Sequence, residues 1–182
     1  MKTFFNEEKT SYPDGVTVNI KGKTVTVKGP KGVLKRVFNA PVTVKNVGKT
    51  KEIVVHRYIS NNRQNALICT IRTHIENMIL GVTEGFCYQI RSFAKYHPIK
   101  TSVKGDCVVV ENYMGGRDSI KVKLPKGVEF TVCELKDHYN ISGNDKTQVG
   151  EFVGKMITKF KPNGVDKRNF YDGFYLISRN AA

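Results

Sequence analysis

The chain is poor in acid: 16 Asp and Glu stand against 30 Lys and Arg, a formal charge of +14 on 182 residues. No acidic block offsets the bases, and the excess is spread along the chain. Residues 1–81 carry 14 Lys and Arg against 5 Asp and Glu, and residues 82–182 carry 16 against 11. So strong a positive field implies a polyanionic partner that relieves the self-repulsion, and nucleic acid is the default. Cys69, Cys87, Cys107 and Cys133 are scattered, with no close pair of the kind that holds zinc or cycles a disulfide. They are expected to be small core residues of a reducing compartment. His56, His74, His97 and His138 form no metal-ligand spacing, so no metal or other cofactor is expected. The segment after Met1 lacks the apolar stretch of a secretion signal, and no run approaches the roughly 20 apolar residues of a membrane helix. A soluble, cytosolic protein with no membrane partner is the expectation.

Catalytic signatures are also missing. Gly143-Asn144-Asp145-Lys146-Thr147 has the Lys-Thr of a phosphate-binding loop but puts Asp where glycine must precede the lysine, so a carboxylate would repel the phosphate. In Gly29-Pro30-Lys31-Gly32 the proline removes an N–H donor. None of the serines sits in a nucleophile elbow or beside a base. No catalytic residues are nominated.

What is present is a pattern that occurs twice. Tyr12-Pro13-Asp14-Gly15-Val16 opens one alternating segment and Leu124-Pro125-Lys126-Gly127-Val128 another. Each runs on to a glycine turn with lysine, Gly29–Gly32 in the first case and Gly143–Lys146 in the second. The reading is an α+β protein of two similar lobes made by internal duplication, each an antiparallel sheet with one packed helix, with the division at 81/82.

Within the first lobe, Val16, Val18 and Ile20 alternate with polar residues and Lys21-Gly22-Lys23 turns the chain into Val25 and Val27, a hairpin. Short strands are expected over 33–38, 42–47 and 53–56. Helical spacing of Leu67, Ile68, Ile71, Ile75, Met78 and Ile79 then predicts a helix from Ser60 or Asn61 to a stop at Gly81. In the second lobe strands are expected over 86–93, 107–110, 120–124 and 128–135. Its helix should start at Asp145 as N-cap and bury Val149, Phe152, Val153, Met156, Ile157 and Phe160, leaving Lys155 and Lys159 outside. Gly150 and Gly154 lie one turn apart in that helix, each costing about 1 kcal/mol relative to Ala. Close packing on the sheet is the preferred explanation, approach of a nucleic-acid backbone the other. The last segment mixes Lys161, Lys167, Arg168 and Arg179 with Phe170, Tyr171, Phe174 and Tyr175, and by composition is expected to be mobile until it docks on RNA.

Three runs carry a family resemblance: Gly29 to Phe38 (GPKGVLKRVF), Arg72 to Phe86 (RTHIENMILGVTEGF) and Arg168 to Tyr175 (RNFYDGFY). Together they resemble the L-six family of large-ribosomal-subunit proteins, with the closest look to its eukaryotic L-nine branch. The resemblance spans nearly the whole chain in order. It implies two similar α+β lobes, no enzymatic activity and no cofactor. It also implies a place on large-subunit ribosomal RNA near the sarcin-ricin loop, beside other ribosomal proteins of the stalk base, where translational GTPases dock. A cytoplasmic ribosome is the implied location, with passage through the nucleus during assembly if the source is eukaryotic. The second lobe is the implied RNA anchor, through Gly143, Asn144 and Lys146, the helix lysines Lys155 and Lys159, and Lys161, Lys167 and Arg168, with Arg179 added from the composition of the tail. The rival readings are a free RNA-binding regulator and a nucleotide hydrolase built on Gly143–Thr147.

Overall fold

A computed structural model describes residues 2–47, 51–133, 135–166 and 168–181. The chain divides into two compact units between Glu84 and Gly85. The first holds β1 (Lys2–Ser11), the meander β2 (Thr17–Lys21), β3 (Thr24–Gly29) and β4 (Gly32–Val37), the hairpin β5 (Thr43–Val47) and β6 (Glu52–Asn61), and helix α1 (Asn62–Thr83). The second holds β7 (Phe86–Phe93), the meander β8 (Lys100–Lys104), β9 (Cys107–Glu111) and β10 (Ile120–Lys123), the hairpin β11 (Val128–Val132) and β12 (His138–Gly143), helix α2 (Lys146–Lys159) and a closing strand β13 (Gly173–Ala181).

The sheets repeat in the same way. In the first unit the order is β1-β6-β5 with a separate β2-β3-β4; in the second it is β13-β7-β12-β11 with a separate β10-β9-β8, every pairing antiparallel. Strand, meander, hairpin and helix follow one another in each unit, and β13 is an addition to the second. The α+β duplication is therefore real, yet its sequence marker is out of register. Pro13–Val16 opens the first strand of the meander, whereas Pro125–Val128 opens the hairpin. What the two motifs share is local chemistry: the Val16 and Val128 N–H groups donate to the Pro13 and Pro125 carbonyls at 3.4 and 3.3 Å, around Gly15 at φ +91° and Gly127 at φ +79°. A turn with φ > 0 at its third position favours glycine there.

Each core forms where alternation meets helical period. Val18, Val25, Val27, Ile53 and Val55 point from the strands of the first unit onto Ile68, Ile71, Ile75, Met78 and Val82 of α1. In the second, Ile90, Val108, Val110 and Ile141 meet Val149, Phe152, Val153, Met156 and Phe160. Ile157 is half-buried and Leu67 exposed.

Several expectations are corrected. Helix α1 starts after Asn61, whose N–H donates to Gln64 Oε1 at 3.1 Å, but it passes through Gly81, which is buried inside it, and ends at Thr83. The left-handed residue that stops it is Gly85, at φ +81°; the unit boundary moves with it, from 81/82 to 84/85. Strands β1, β8, β12 and β13 were not expected. Among the described side chains of β1 only Thr10 is buried, and residues 6–11 hold no apolar residue to set an alternation; pairing with β6 makes it a strand. The cysteines are not core residues: Cys69 is exposed and the other three half-buried. Burial, followed by repulsion from Cys133, raises the Cys87 thiol above its usual pKa.

The closing segment departs furthest from expectation, for it is part of the second core. Phe174 is 2% exposed, its ring 5.0 Å from Phe160 and 6.0 Å from Tyr139. Asp172, also buried, accepts from the Lys95 N–H at 3.1 Å, pinning a segment far away in sequence. The alternating Phe174 and Leu176, opposite Ser92 and Ile90 of β7, explain why aromatics here serve packing and not a mobile arm.

Candidate nucleic-acid interface

Helix α2 presents Lys146, Thr147, Gln148, Glu151, Gly154, Lys155, Thr158 and Lys159 to solvent, opposite the buried stripe. Asp145 caps it, its carboxylate accepting from Thr147 N–H at 2.9 Å. That carboxylate occupies the helix N-terminus where a nucleotide phosphate would sit, so the Gly143–Thr147 turn is built as a cap and not as a phosphate loop. Lys146 lies with Nζ 5.6 Å from the Phe86 ring centre, and Asn144 is half-buried beside it.

Gly143, nominated as a phosphate-facing residue, is a packing residue. A Cβ there would stand 2.8 Å from Val149 Cγ2 and 2.9 Å from the Gly127 carbonyl oxygen, so the end of β12 lies directly on α2 and on the turn before β11. Gly154 is the reverse: a Cβ would have nothing within 4 Å. At Gly150 it would meet Tyr88 Cε2 at 3.9 Å, an ordinary contact. Packing on the sheet, the preferred explanation of the two helix glycines, therefore fails at Gly154, which sits bare on the solvent face.

The nominated lysines differ in how they are held. Lys155 pairs with Glu151 one turn back at 2.7 Å, both exposed, a contact worth a few tenths of a kcal/mol that a phosphate can replace. Lys159 Nζ donates to the Lys121 carbonyl at 2.7 Å, tying the end of α2 to β10. That contact brings in two cations not nominated from sequence, Lys121 and Lys123, which alternate on β10 around buried Val122. Their signal was the Ile-Lys-Val-Lys alternation, read only as a strand.

Beyond α2, exposed Lys161 borders an apolar hollow of 280 Å³ lined by Phe160, Phe170, Tyr171 and Phe174. Arg168 is exposed on a turn organised by Asp166, whose carboxylate accepts the Arg168 N–H at 3.0 Å while its carbonyl accepts from Asn169 and Phe170. Lys167 lies outside the described residues. Near this turn Lys95 Nζ donates to Asn169 Oδ1 at 3.1 Å and lies 5.0 Å from the Tyr96 ring. Its pKa is raised by a hydrogen bond with Tyr96, against an opposing effect of burial, with the charges of Tyr96, Tyr171 and Asp172 adding to the rise, so it is a cation at neutral pH.

Arg179 is exposed on β13. A bulge between Leu176 and Ser178 shifts the register, leaving Arg179 opposite Tyr88, on the α2 side of the sheet. Arg91, Phe93 and Tyr175 take the other face, with Phe93 and Tyr171 rings 5.0 Å apart. The structure thus places Lys155 and Lys159 one turn apart on the open side of α2, with the backbone of exposed Lys121 at the end of the Lys159 side chain, and carries Lys161 and Arg168 on the strap that follows. Among the described residues no three His, Cys, Asp or Glu gather as metal ligands.

Comparison with known proteins gives a consistent result. The model of the family described as Ribosomal protein L6 matches residues 12–85. The large ribosomal subunit protein uL6 of Methanobrevibacter smithii is 35% identical over 175 residues, covering 94% of this chain and 95% of its own length. Its counterpart from Sulfurisphaera tokodaii is 30% identical over 179 residues, covering 98% and 95%.

Proposed function

From the premise that this chain belongs to the ribosomal protein L6 family, we propose that it is a structural component of the large ribosomal subunit, and that its second unit grips large-subunit RNA with the open face of α2. It binds and does not turn over substrate. The observation that carries the site is Gly154: a glycine that costs helix stability, has open space where a Cβ would stand, and lies beside Lys155 on a face that carries three lysines and one acid. A residue without Cβ lets a phosphate backbone come closer to the helix than any other side chain allows, and Lys155, Lys159 and Lys121 are there to neutralise it. Following the family resemblance, the RNA is the region of the sarcin-ricin loop and stalk base, next to other ribosomal proteins and the docking place of translational GTPases.

Two measurements test the site. In a salt titration of binding to the cognate RNA fragment, Lys155→Ala and Lys159→Ala should each flatten the slope of log K against log salt by about 0.7–0.9, the loss of one phosphate contact. An unchanged slope removes that lysine from the interface. Gly154→Ala should raise the stability of the free protein by about 1 kcal/mol, because the methyl group has room and helix propensity improves. The same substitution should weaken RNA binding about five- to tenfold, roughly 1–1.4 kcal/mol. Improved stability with unaltered affinity would mean that no backbone approaches there. Co-sedimentation with large subunits separates this role from that of a free regulator.

A further inference from the structure

We propose that the outer edge of β1 docks a lysine- and arginine-rich extended segment of a neighbouring protein, added as a strand in the way that β13 adds to β7. The duplication supplies the first argument. β1 and β7 hold equivalent places, each flanked on one side by the second strand of its hairpin, β6 or β12. In the second unit the other side of β7 is filled by β13 over Gly173–Ala181. In the first unit, among the described residues, β1 is the last strand of its sheet. It is 10 residues long, keeps an unbroken register with β6 from Phe5 to Ser11, contains no proline, and exposes Phe4 at 76% and Phe5 at 40%. A long, regular, partly apolar edge is a template for strand pairing that proteins cover when they do not blunt it.

Charge identifies the occupant. Residues 1–84 contain six acids: Glu7, Glu8, Asp14, Glu52, Glu76 and Glu84. All lie on β1 or at its border. Glu7 and Glu8 are on the strand, Asp14 is in the turn that leaves it, and Glu52 faces Ser11 across the ladder. Glu76 accepts from Thr10 Oγ1 at 3.3 Å. Glu84 closes a groove of 650 Å³ between β1 and the end of α1, whose lining also includes Lys9, Asp14, Glu76 and Leu80. Local cations partly balance them, Lys9 with Glu7 at 3.4 Å, Lys51 with Asp14, and Arg72 with Glu8 and Glu76 at 3.8 and 3.1 Å. These are partly or well exposed pairs that an incoming base exchanges at little cost. In a chain whose bases are spread widely, the gathering of these acids around one strand, with only Glu52 on its paired side, repels RNA phosphate and suits a basic polypeptide. Main-chain pairing supplies affinity and alternate side chains supply selectivity.

A photo-crosslinking benzoylphenylalanine placed at Phe4, with a control at exposed Val33 of β4, tests this in large subunits isolated from cells. The expected product from Phe4 is a crosslink to one other protein within a Lys/Arg-rich stretch, with a severalfold lower yield in Glu7→Gln, Glu84→Gln protein. Crosslinks to RNA, to a second copy of this chain, or to stretches without basic residues overturn the proposal, as does no crosslink. A second measurement uses the free protein and needs no RNA, so it fails or succeeds independently of the role given to α2. Hydrogen exchange across β1 should slow in the presence of a ten-residue alternating lysine-valine peptide and not with its glutamate-valine counterpart. Equal effects of the two peptides, or none, reject the docking edge.

Discussion

Phe174→Ala is expected to destabilise the second unit by about 3–5 kcal/mol, the range for emptying a fully buried aromatic site. Phe174 is enclosed by Phe160 and Tyr139 and lies on β13, which is the only strand pairing the free side of β7 among the described residues. Loss of the ring leaves a cavity against Phe160, whose carbonyl also accepts from the Tyr113 hydroxyl at 2.7 Å. Burial, then the charges of Asp172 and Tyr175, holds that phenol above its usual pKa, as expected for a hydroxyl kept as a donor in an apolar wall. Urea denaturation followed by hydrogen exchange of β7 amides measures the loss, with surface Arg179→Ala as a control expected to stay within about 0.5 kcal/mol. A cost below about 1 kcal/mol for Phe174→Ala would mean that the closing segment is an appendage and not a core strand.

Gly143→Ala separates packing from recognition at a nominated site residue. Its methyl group would enter a space already occupied by Val149 Cγ2 and the Gly127 carbonyl. The carbonyl belongs to backbone held by the β11–β12 ladder, Val128 opposite Gly143, so the strain has no cheap release. Overpacking of this kind costs about 1–3 kcal/mol. Thermal or urea unfolding should show that loss, while the RNA affinity of the folded fraction should stay the same. Weaker binding at unaltered stability would return Gly143 to the phosphate-facing surface. The contrast with Gly154→Ala is sharp: two glycines on either side of one helix start should give opposite signs in stability.

The resemblance to the L-six family was legible in three residue runs, and the comparisons place the chain in that family. The candidate site was legible only in part. Lys155 and Lys159 were readable because they fall on the outer side of a helical stripe, a property of spacing alone. Lys121 was not, since its place beside α2 comes from the hydrogen bond that Lys159 makes to its carbonyl, a contact across 38 residues of chain. The roles of Gly143 and Gly154 could not be told apart without neighbours, because glycine carries no side chain whose pattern could show which way it faces.

Local physics by itself determined the two helices, the turns at Gly15 and Gly127, the Asp145 cap and the alternating strands β2, β3 and β7, for in each the determining contacts lie within a few residues. Only tertiary structure decided which strands the weakly patterned segments would join. β1 becomes a strand because β6 offers a ladder, and the aromatic close of the chain becomes β13 because β7 has an open side and Phe174 finds a cavity beside Phe160. It also decided how the duplication is aligned: recurring Pro-x-Gly-Val turns mark similar bends at non-equivalent places, whereas equivalence resides in the order of pairing, which no single segment encodes.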